Sequence, residues 1–271
     1  MARHDLASQH PAAPILPRPA GGPNRSTNRP TPVPAADVRG SGAGGRPAEG
    51  WLAVGTSAQD RRGLLADELF WITHGDMSGQ RQLHPKATGL ALAAALLSEL
   101  VLARRLDVAE GVVTVLDPTA PADVLDHSTL DQILAEPRVR DVRSWLAFLA
   151  QKAEEAVGQR LERAGLAERR AARWPRSVVR WLPRDGLTAA RPSTRLYIAL
   201  SRNEQLTVHD ATLAGLVAAV GLTRAVLFDA GPGAASVQRL AAWVGALPLP
   251  LHELVDHTGA AIGAAVLTHR A

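Results

Sequence analysis

The densest chemistry in the chain is a run of guanidinium groups. Between Arg160 and Arg195 lie Arg163, Arg169, Arg170, Arg173, Arg176, Arg180, Arg184 and Arg191, opposed only by Glu162, Glu168 and Asp185, with Trp174 and Trp181 interleaved. The planar guanidinium fork makes paired, charge-assisted hydrogen bonds to phosphate. A tryptophan can bury its ring at a bilayer interface while its N–H stays wet. Two anionic partners therefore fit. One is an acidic membrane, where each basic residue near the leaflet contributes about 1 kcal/mol; the other is a nucleic-acid backbone. The reading favours the membrane and assigns Arg169, Arg170, Arg173, Trp174 and Arg176 to a membrane-facing basic patch. A solvated hairpin whose tryptophans cap the core would use the same residues.

Other constellations carry less. His252-Glu253-Leu254-Val255-Asp256-His257 invites comparison with a zinc helix. Metal-binding histidines on a helix stand four apart on one face, whereas these stand five apart and diverge by about 140°. His252 and Asp256 share a face as a local pair, and no metal is expected. The glycine run from Gly40 to Gly45 lacks the Lys-Ser/Thr of a phosphate loop. With no cysteine in the chain, disulfides, thiolate metal sites and a cysteine nucleophile are excluded. No nucleophile elbow, dinucleotide fingerprint or carboxylate pair stands out, so neither catalysis nor a cofactor is expected.

The elements that must position these groups read as mainly α. Hydrophobic residues make up 46% of the chain but aromatics only 4%, which suits Ala- and Leu-rich helices better than sheets. Residues 1–60 are rich in Pro, Gly, Ser and Arg with no sustained apolar period, and read as a disordered tail. A folded domain is expected over 61–271. Leu64, Leu65, Leu69 and Ile72 mark a first helix, and a long buried one follows from about Lys86 to Arg105. A hairpin turning at Glu110-Gly111 comes next, then a short helix begun by a capping box at Ser128 and Asp131. Val142 to Leu161 is amphipathic and can break into two helices, leading to strands at Leu166–Arg169 and Val178–Leu182. Helix followed by hairpin, twice, suggests winged-helix-like units. Beyond Pro192 come helices at Ser193–Arg202, Thr207–Val220, Leu222–Phe228, Val237–Val244 and from about Leu251, a helical bundle in outline.

The longest apolar stretch, Leu90–Leu97, ends at Ser98 and Glu99, short of the roughly 20 residues of a membrane span. With no apolar segment behind Met1–His4 to act as a secretory signal, a cytoplasmic location is expected. The sequence pI is about 10.5 although the net charge is only +4, because the basic residues are nearly all Arg. Such an Ala- and Arg-rich, Lys-poor composition is also typical of GC-rich bacterial genomes.

Several blocks occur together in a recognisable order: Leu64-Leu65-Ala66-Asp67-Glu68-Leu69 before a Gly/Asp turn, Leu96-Leu97-Ser98-Glu99-Leu100-Val101-Leu102-Ala103-Arg104-Arg105-Leu106, Ser144-Trp145-Leu146, Leu161-Glu162-Arg163-Ala164-Gly165-Leu166, and Thr212-Leu213-Ala214-Gly215-Leu216. Over roughly Gly63 to Leu267 the chain resembles the Golgi phosphoprotein 3 family, which includes the yeast vacuolar-sorting homologues. The resemblance implies a mostly helical fold with a β-hairpin, peripheral on the cytoplasmic face of a membrane and bound to phosphatidylinositol 4-phosphate. It further implies an adaptor role toward membrane enzymes, notably glycosyltransferases, and is compatible with self-association. Where family members hold the phosphorylated inositol with a Trp and three Arg, this sequence places His84, Ala93, Ala150 and Ala153. The nearest substitutes for head-group binding are Arg81, His84, Lys86, Arg143 and Lys152. The expectation is thus binding to acidic phospholipid with little extra preference for the phosphoinositide, since Ala offers a phosphate nothing. A winged-helix-like DNA-binding protein ranks second, because Glu154, Glu155 and Glu162 on the would-be reading helix repel a phosphate backbone.

Residues 1–50 carry too little apolar periodicity to offset the entropy of ordering them. Removing them should leave the thermal melting midpoint of the remaining chain unchanged. A large fall in that midpoint would show that the tail packs on the domain.

Overall fold

The computed structural model describes residues 63–75, 78–170, 179–226 and 234–268. In chain order the elements are α1 (Leu65–His74), α2 (Pro85–Leu102), β1 (Leu106–Ala109), β2 (Val112–Val115), α3 (Val124–Ala135), α4 (Val142–Leu149), α5 (Ala153–Arg163), β3 (Ala167–Arg170), β4 (Arg180–Pro183), α6 (Gly186–Arg202), α7 (Val208–Ala219), α8 (Thr223–Val226), α9 (Ala234–Gly245) and α10 (Leu249–Thr268). The fold is mainly helical with two antiparallel hairpins, β1-β2 and β3-β4, as composition and periodicity predict. The tail expected over 1–60 lies outside the described residues.

Helix α2 is the axis. Every residue from Ala87 to Leu100 is buried, polar ones included. A helix apolar on all sides has to be surrounded, and α1, α3, α4, α5, α7 and α10 all pack against it. It is 18 residues long and apolar enough to cross a membrane, yet 78% of it is buried within the protein. Of its three buried polar residues, Thr88 donates to the His84 carbonyl and Ser98 to the Ala94 carbonyl, the latter at 2.8 Å. Glu99 accepts from the Ala66 N–H at the start of α1 at 2.6 Å.

Glu99 also receives Arg160 from α5, at 3.0 and 3.2 Å, and this guanidinium reaches Asp67 of α1 at 2.7 Å and Asp123 at 3.1 Å. Asp126 of α3 lies 3.7 Å away. Arg160 is only 6% exposed, so the arginine that opens the basic run is core structure, not part of a surface patch. At the other end of the run, Arg195 of α6 grips both oxygens of Glu68 at 3.0 and 2.6 Å and Asp210 of α7 at 2.9 Å. Adjacent acids in α1 thereby anchor opposite sides of the bundle.

Two helix starts differ from the sequence-based expectation, and the expected division of Val142 to Leu161 is located. Helix α3 begins at Val124, because the Asp123 carboxylate accepts from the N–H groups of Leu125 and Asp126. Ser128 and Asp131 are interior residues, so the expected capping box does not form; Asp131 pairs instead with His127 at 3.3 Å. Helix α6 begins at Gly186, capped by Asp185, and runs through Pro192 to Arg202. The break between α4 and α5 falls at Ala150–Lys152. The expected helix end at Phe228 lies outside the described residues.

Surplus negative charge around Arg160 perturbs its partners. Burial pushes Asp67 up to about 7 despite the opposing Arg160, and burial followed by the Glu99 carboxylate pushes Asp126 up to about 9. Native Asp67 and Asp126 therefore keep protons that the unfolded chain loses near 3.8. Their contribution to stability is full below that value and is lost as the pH rises through about 7 and about 9. The melting midpoint should fall across this range, and Asp126→Asn should flatten its upper part. Arg160→Met should cost about 3–5 kcal/mol in urea unfolding near neutral pH, since it strands buried carboxylates.

Candidate functional site

Several solvent-facing cations lie on the start of α2, the α4–α5 corner and the β3-β4 hairpin, which the loop before α2 adjoins. Close backbone approaches join these parts. A Cβ at Gly89 of α2 would lie 2.4 Å from the Ala150 carbonyl oxygen, so only glycine lets α2 seat against the corner. A Cβ at Gly79, whose φ is +58°, would lie 2.3 Å from the Trp181 carbonyl oxygen, placing the loop against β4.

The hairpin is built on Trp181. In the β3-β4 register Ala167 faces Pro183, Glu168 faces Leu182, Arg169 faces Trp181 and Arg170 faces Arg180. Ala167 and Trp181 are buried, at 0% and 1% exposure, whereas Glu168, Arg169, Arg170 and Arg180 are exposed. The Trp181 indole lies over Gly158 of α5, where a Cβ would come within 2.3 Å of the ring. Arg169 lies over the same ring at 5.7 Å from its centroid and pairs with Glu155 at 3.5 Å. Arg170 pairs with Glu168 at 3.3 Å beside the like-charged Arg180. Trp181 thus caps the core, as one reading of the basic run allows; Arg169 covers its ring from the same face of the hairpin, and Arg170 and Arg180 project from the opposite face. Arg173, Trp174 and Arg176 of the expected patch lie outside the described residues.

The expected head-group residues divide. Arg81 is largely buried and held by Glu154 at 3.2 Å, and the same oxygen faces Nε2 of buried His74 at 3.1 Å. Its charge is therefore already opposed. His84 caps α2, its Nδ1 accepting from the Lys86 N–H at 3.3 Å ahead of Pro85. The N–H groups of Ala87 and Thr88 are taken by the His84 carbonyl. Lys86, Arg143 and Lys152 are exposed and form no side-chain ion pair among the described residues. Gly89 on Ala150 brings the first turns of α2 to the corner that carries Lys152, while Arg143 lies at the far end of α4. Ala93 and Ala153, which the resemblance placed at ligand positions, are at 0% and 2% exposure and belong to the core.

The acids and histidines elsewhere have structural duties. Glu253 accepts from the N–H groups of Glu110 and Gly111 at 3.1 and 3.0 Å, closing the β1-β2 turn, and these bonds hold its carboxyl below the usual range. His252 faces Asp256 at 3.3 Å, as the helical spacing predicts. Glu68, His209 and Asp210 form the group among the described residues with a geometry open to a metal ion. The Arg195 guanidinium already occupies both of its carboxylates.

Sequence reasoning missed the interior role of Arg160. The signal available was its place in α5, three residues beyond Val157 and next to Leu161, on the buried side of an amphipathic period. It also missed Phe148, half exposed at the end of α4.

The family model described as Golgi phosphoprotein 3 (GPP34) matches residues 65–258, spanning α1 to the middle of α10. No curated protein matches the chain.

Because Gly158 leaves room for the Trp181 indole, Gly158→Ala should overpack this contact and cost about 1–3 kcal/mol in urea unfolding. Arg170→Ser, on the open face of the same hairpin, should stay within about 0.5 kcal/mol of the parent. An unchanged unfolding midpoint for Gly158→Ala would mean that the indole does not pack there.

Proposed function

We propose that this chain, which belongs to the Golgi phosphoprotein 3 family, is a non-catalytic peripheral membrane protein that binds acidic phospholipid head groups through the face formed by the β3-β4 hairpin and the α2 N-terminus. The observation that carries this reading is the hairpin itself. Arg170 and Arg180 point to solvent from strands pinned to the core by Trp181, Arg169 lies exposed over the Trp181 ring, and the Gly79 and Gly89 contacts extend this surface to Lys86 and Lys152. Such a surface is drawn to an anionic leaflet by about 1 kcal/mol for each close cation. Family membership supports a membrane-peripheral role.

Selectivity for phosphatidylinositol 4-phosphate is expected to be slight. Arg81 is engaged by Glu154, and Ala93 and Ala153 are buried in the core, so the positions that the family resemblance assigns to the head group offer no free forked donor for its phosphate. On this reading the protein works at the cytoplasmic face of a membrane, where it can bring a membrane enzyme to other machinery. Duplex DNA fits less well. Arg160 is withdrawn into the core, and the exposed side of α5 keeps Gln159, Glu162 and Arg163, with Gln159 bonded to Glu155.

Sedimentation with vesicles of neutral lipid, generic acidic lipid and phosphatidylinositol 4-phosphate, beside a duplex-DNA titration, tests the reading. Both acidic vesicles should carry the protein down to similar extents, and neutral ones should not. Changing Arg169, Arg170 and Arg180 together to Ser should weaken this binding by about a hundredfold, from about 1 kcal/mol lost per cation. Salt will weaken vesicle and DNA binding alike, so the identity of the partner decides. Binding to DNA with none to any vesicle would overturn the proposal.

A further inference from the structure

We propose that α4 is a second membrane-contacting element, in which Phe148 enters an anionic bilayer between flanking cations. The inference rests on the lipid-facing reading above and adds where the apolar contact is made. Helix α4 and the turn after it bury Val142, Trp145, Leu146 and Leu149. They expose Arg143, Ser144, Ala147, Phe148, Gln151 and Lys152. The outward stripe thus carries an aromatic ring with a cation toward each end. From Val142 to Ala153 there is no carboxylate, in contrast to the hairpin, where Glu155 and Glu168 offset Arg169 and Arg170.

Phe148 is 51% exposed although it is a large apolar side chain. Its position is backed rather than loose: the ring stands edge-on to Trp145 at 5.8 Å and 85°, and Trp145 is 2% exposed with Nε1 donating to the Val139 carbonyl at 2.9 Å. An exposed ring held in one orientation loses little freedom on entering a lipid interface. Long basic side chains on either side can lay their stems on the acyl boundary and keep their charges among the phosphates.

The location ties this stripe to the proposed lipid face. The Gly89 to Ala150 contact sets the corner that follows Phe148 against the first turns of α2, where Lys86 is exposed. An acidic membrane fits the stripe better than a protein surface for two reasons. Its free charges are basic, the one carboxylate beside it, Asp141, being held by Ser144 as the cap of α4, and its single large apolar group is a phenyl ring, a type found on the buried face of interfacial helices.

The absence of native cysteine makes the test direct, because Phe148→Cys in the full chain accepts one environment-sensitive fluorophore. With phosphatidylcholine vesicles containing phosphatidylserine, its emission should shift to the blue and be quenched by lipid labelled in the acyl chain. The same probe at Val237→Cys, exposed on α9, should not respond. Phe148→Ser should lower vesicle affinity about tenfold, equivalent to about 1.4 kcal/mol, with an unchanged melting midpoint, and Phe148→Trp should restore it. If the wild type sediments with acidic vesicles while the probe at residue 148 stays in water and Phe148→Ser binds normally, the second contact is refuted and the hairpin face stands. If nothing sediments with acidic vesicles, both readings fall together. An equal shift at Val237 would also refute the inference, since it would report general adsorption.

Discussion

A guanidinium in a protein interior obliges the chain to surround it with acceptors, and Arg160 imposes that condition on four helices. Its ligands come from α1, from the last turn of α2, from the cap of α3 and from the first turn of α3, while Arg160 itself belongs to α5. Coulombic attraction in such a place is largely consumed by desolvation, so the cluster is not a generous source of stability. What it supplies is register: sliding or rotating any of these helices would strand a buried charge. Glu99 illustrates the economy, since it also satisfies the Ala66 N–H at the start of α1, a donor with no partner inside that helix. Arg195, Glu68 and Asp210 repeat the arrangement across α6, α1 and α7.

With its acids drawn inward, the protein is left with an uneven exterior. Glu68, Glu99, Asp126 and Asp210 are buried and Asp67 is largely so, whereas Arg169, Arg170, Arg180, Lys86, Arg143 and Lys152 are exposed. The basic face keeps its shape through close packing beside the ion pairs of Arg81, Arg169 and Arg170. Trp181 is seated on Gly158, Gly79 lies on β4, and Gly89 lies on the α4–α5 corner. Each is a place where backbone or ring must approach too closely for a side chain to intervene.

This arrangement bears on how a family member can serve a membrane without the family's full set of phosphate ligands. A head-group pocket recognises one phosphate through several forked donors converging on it. Dispersed cations around a half-exposed aromatic ring respond instead to the average charge of a leaflet and to its apolar boundary. The first arrangement selects a lipid, and the second selects a surface. Under the proposed function the chain relies on the second, since Arg81 is engaged and Ala93 and Ala153 are interior.

Much of this was written in local sequence. The all-round apolarity of Ala87 to Leu100 determined a buried central helix. Glu110-Gly111 determined a turn, and both residues adopt positive φ. The alternation of Val142 to Leu161 determined an amphipathic pair, and the ordered Leu-rich blocks determined the family. These are properties of short windows, in which periodicity and turn chemistry act over a few residues. The fate of each charge was not local. Arg160 and Arg169 are the same residue type nine positions apart, yet one is 6% exposed among carboxylates and the other lies open on a hairpin. Asp123 displaced the capping box expected at Ser128 because its carboxylate meets the first free N–H groups of α3. The partners of Arg160 lie 93, 61 and 37 residues away, and only the packing of α1, α3 and α5 around α2 brings them within hydrogen-bond distance. Desolvation penalises an unpaired charge wherever it is buried, and which charges become buried is settled only when the helices assemble.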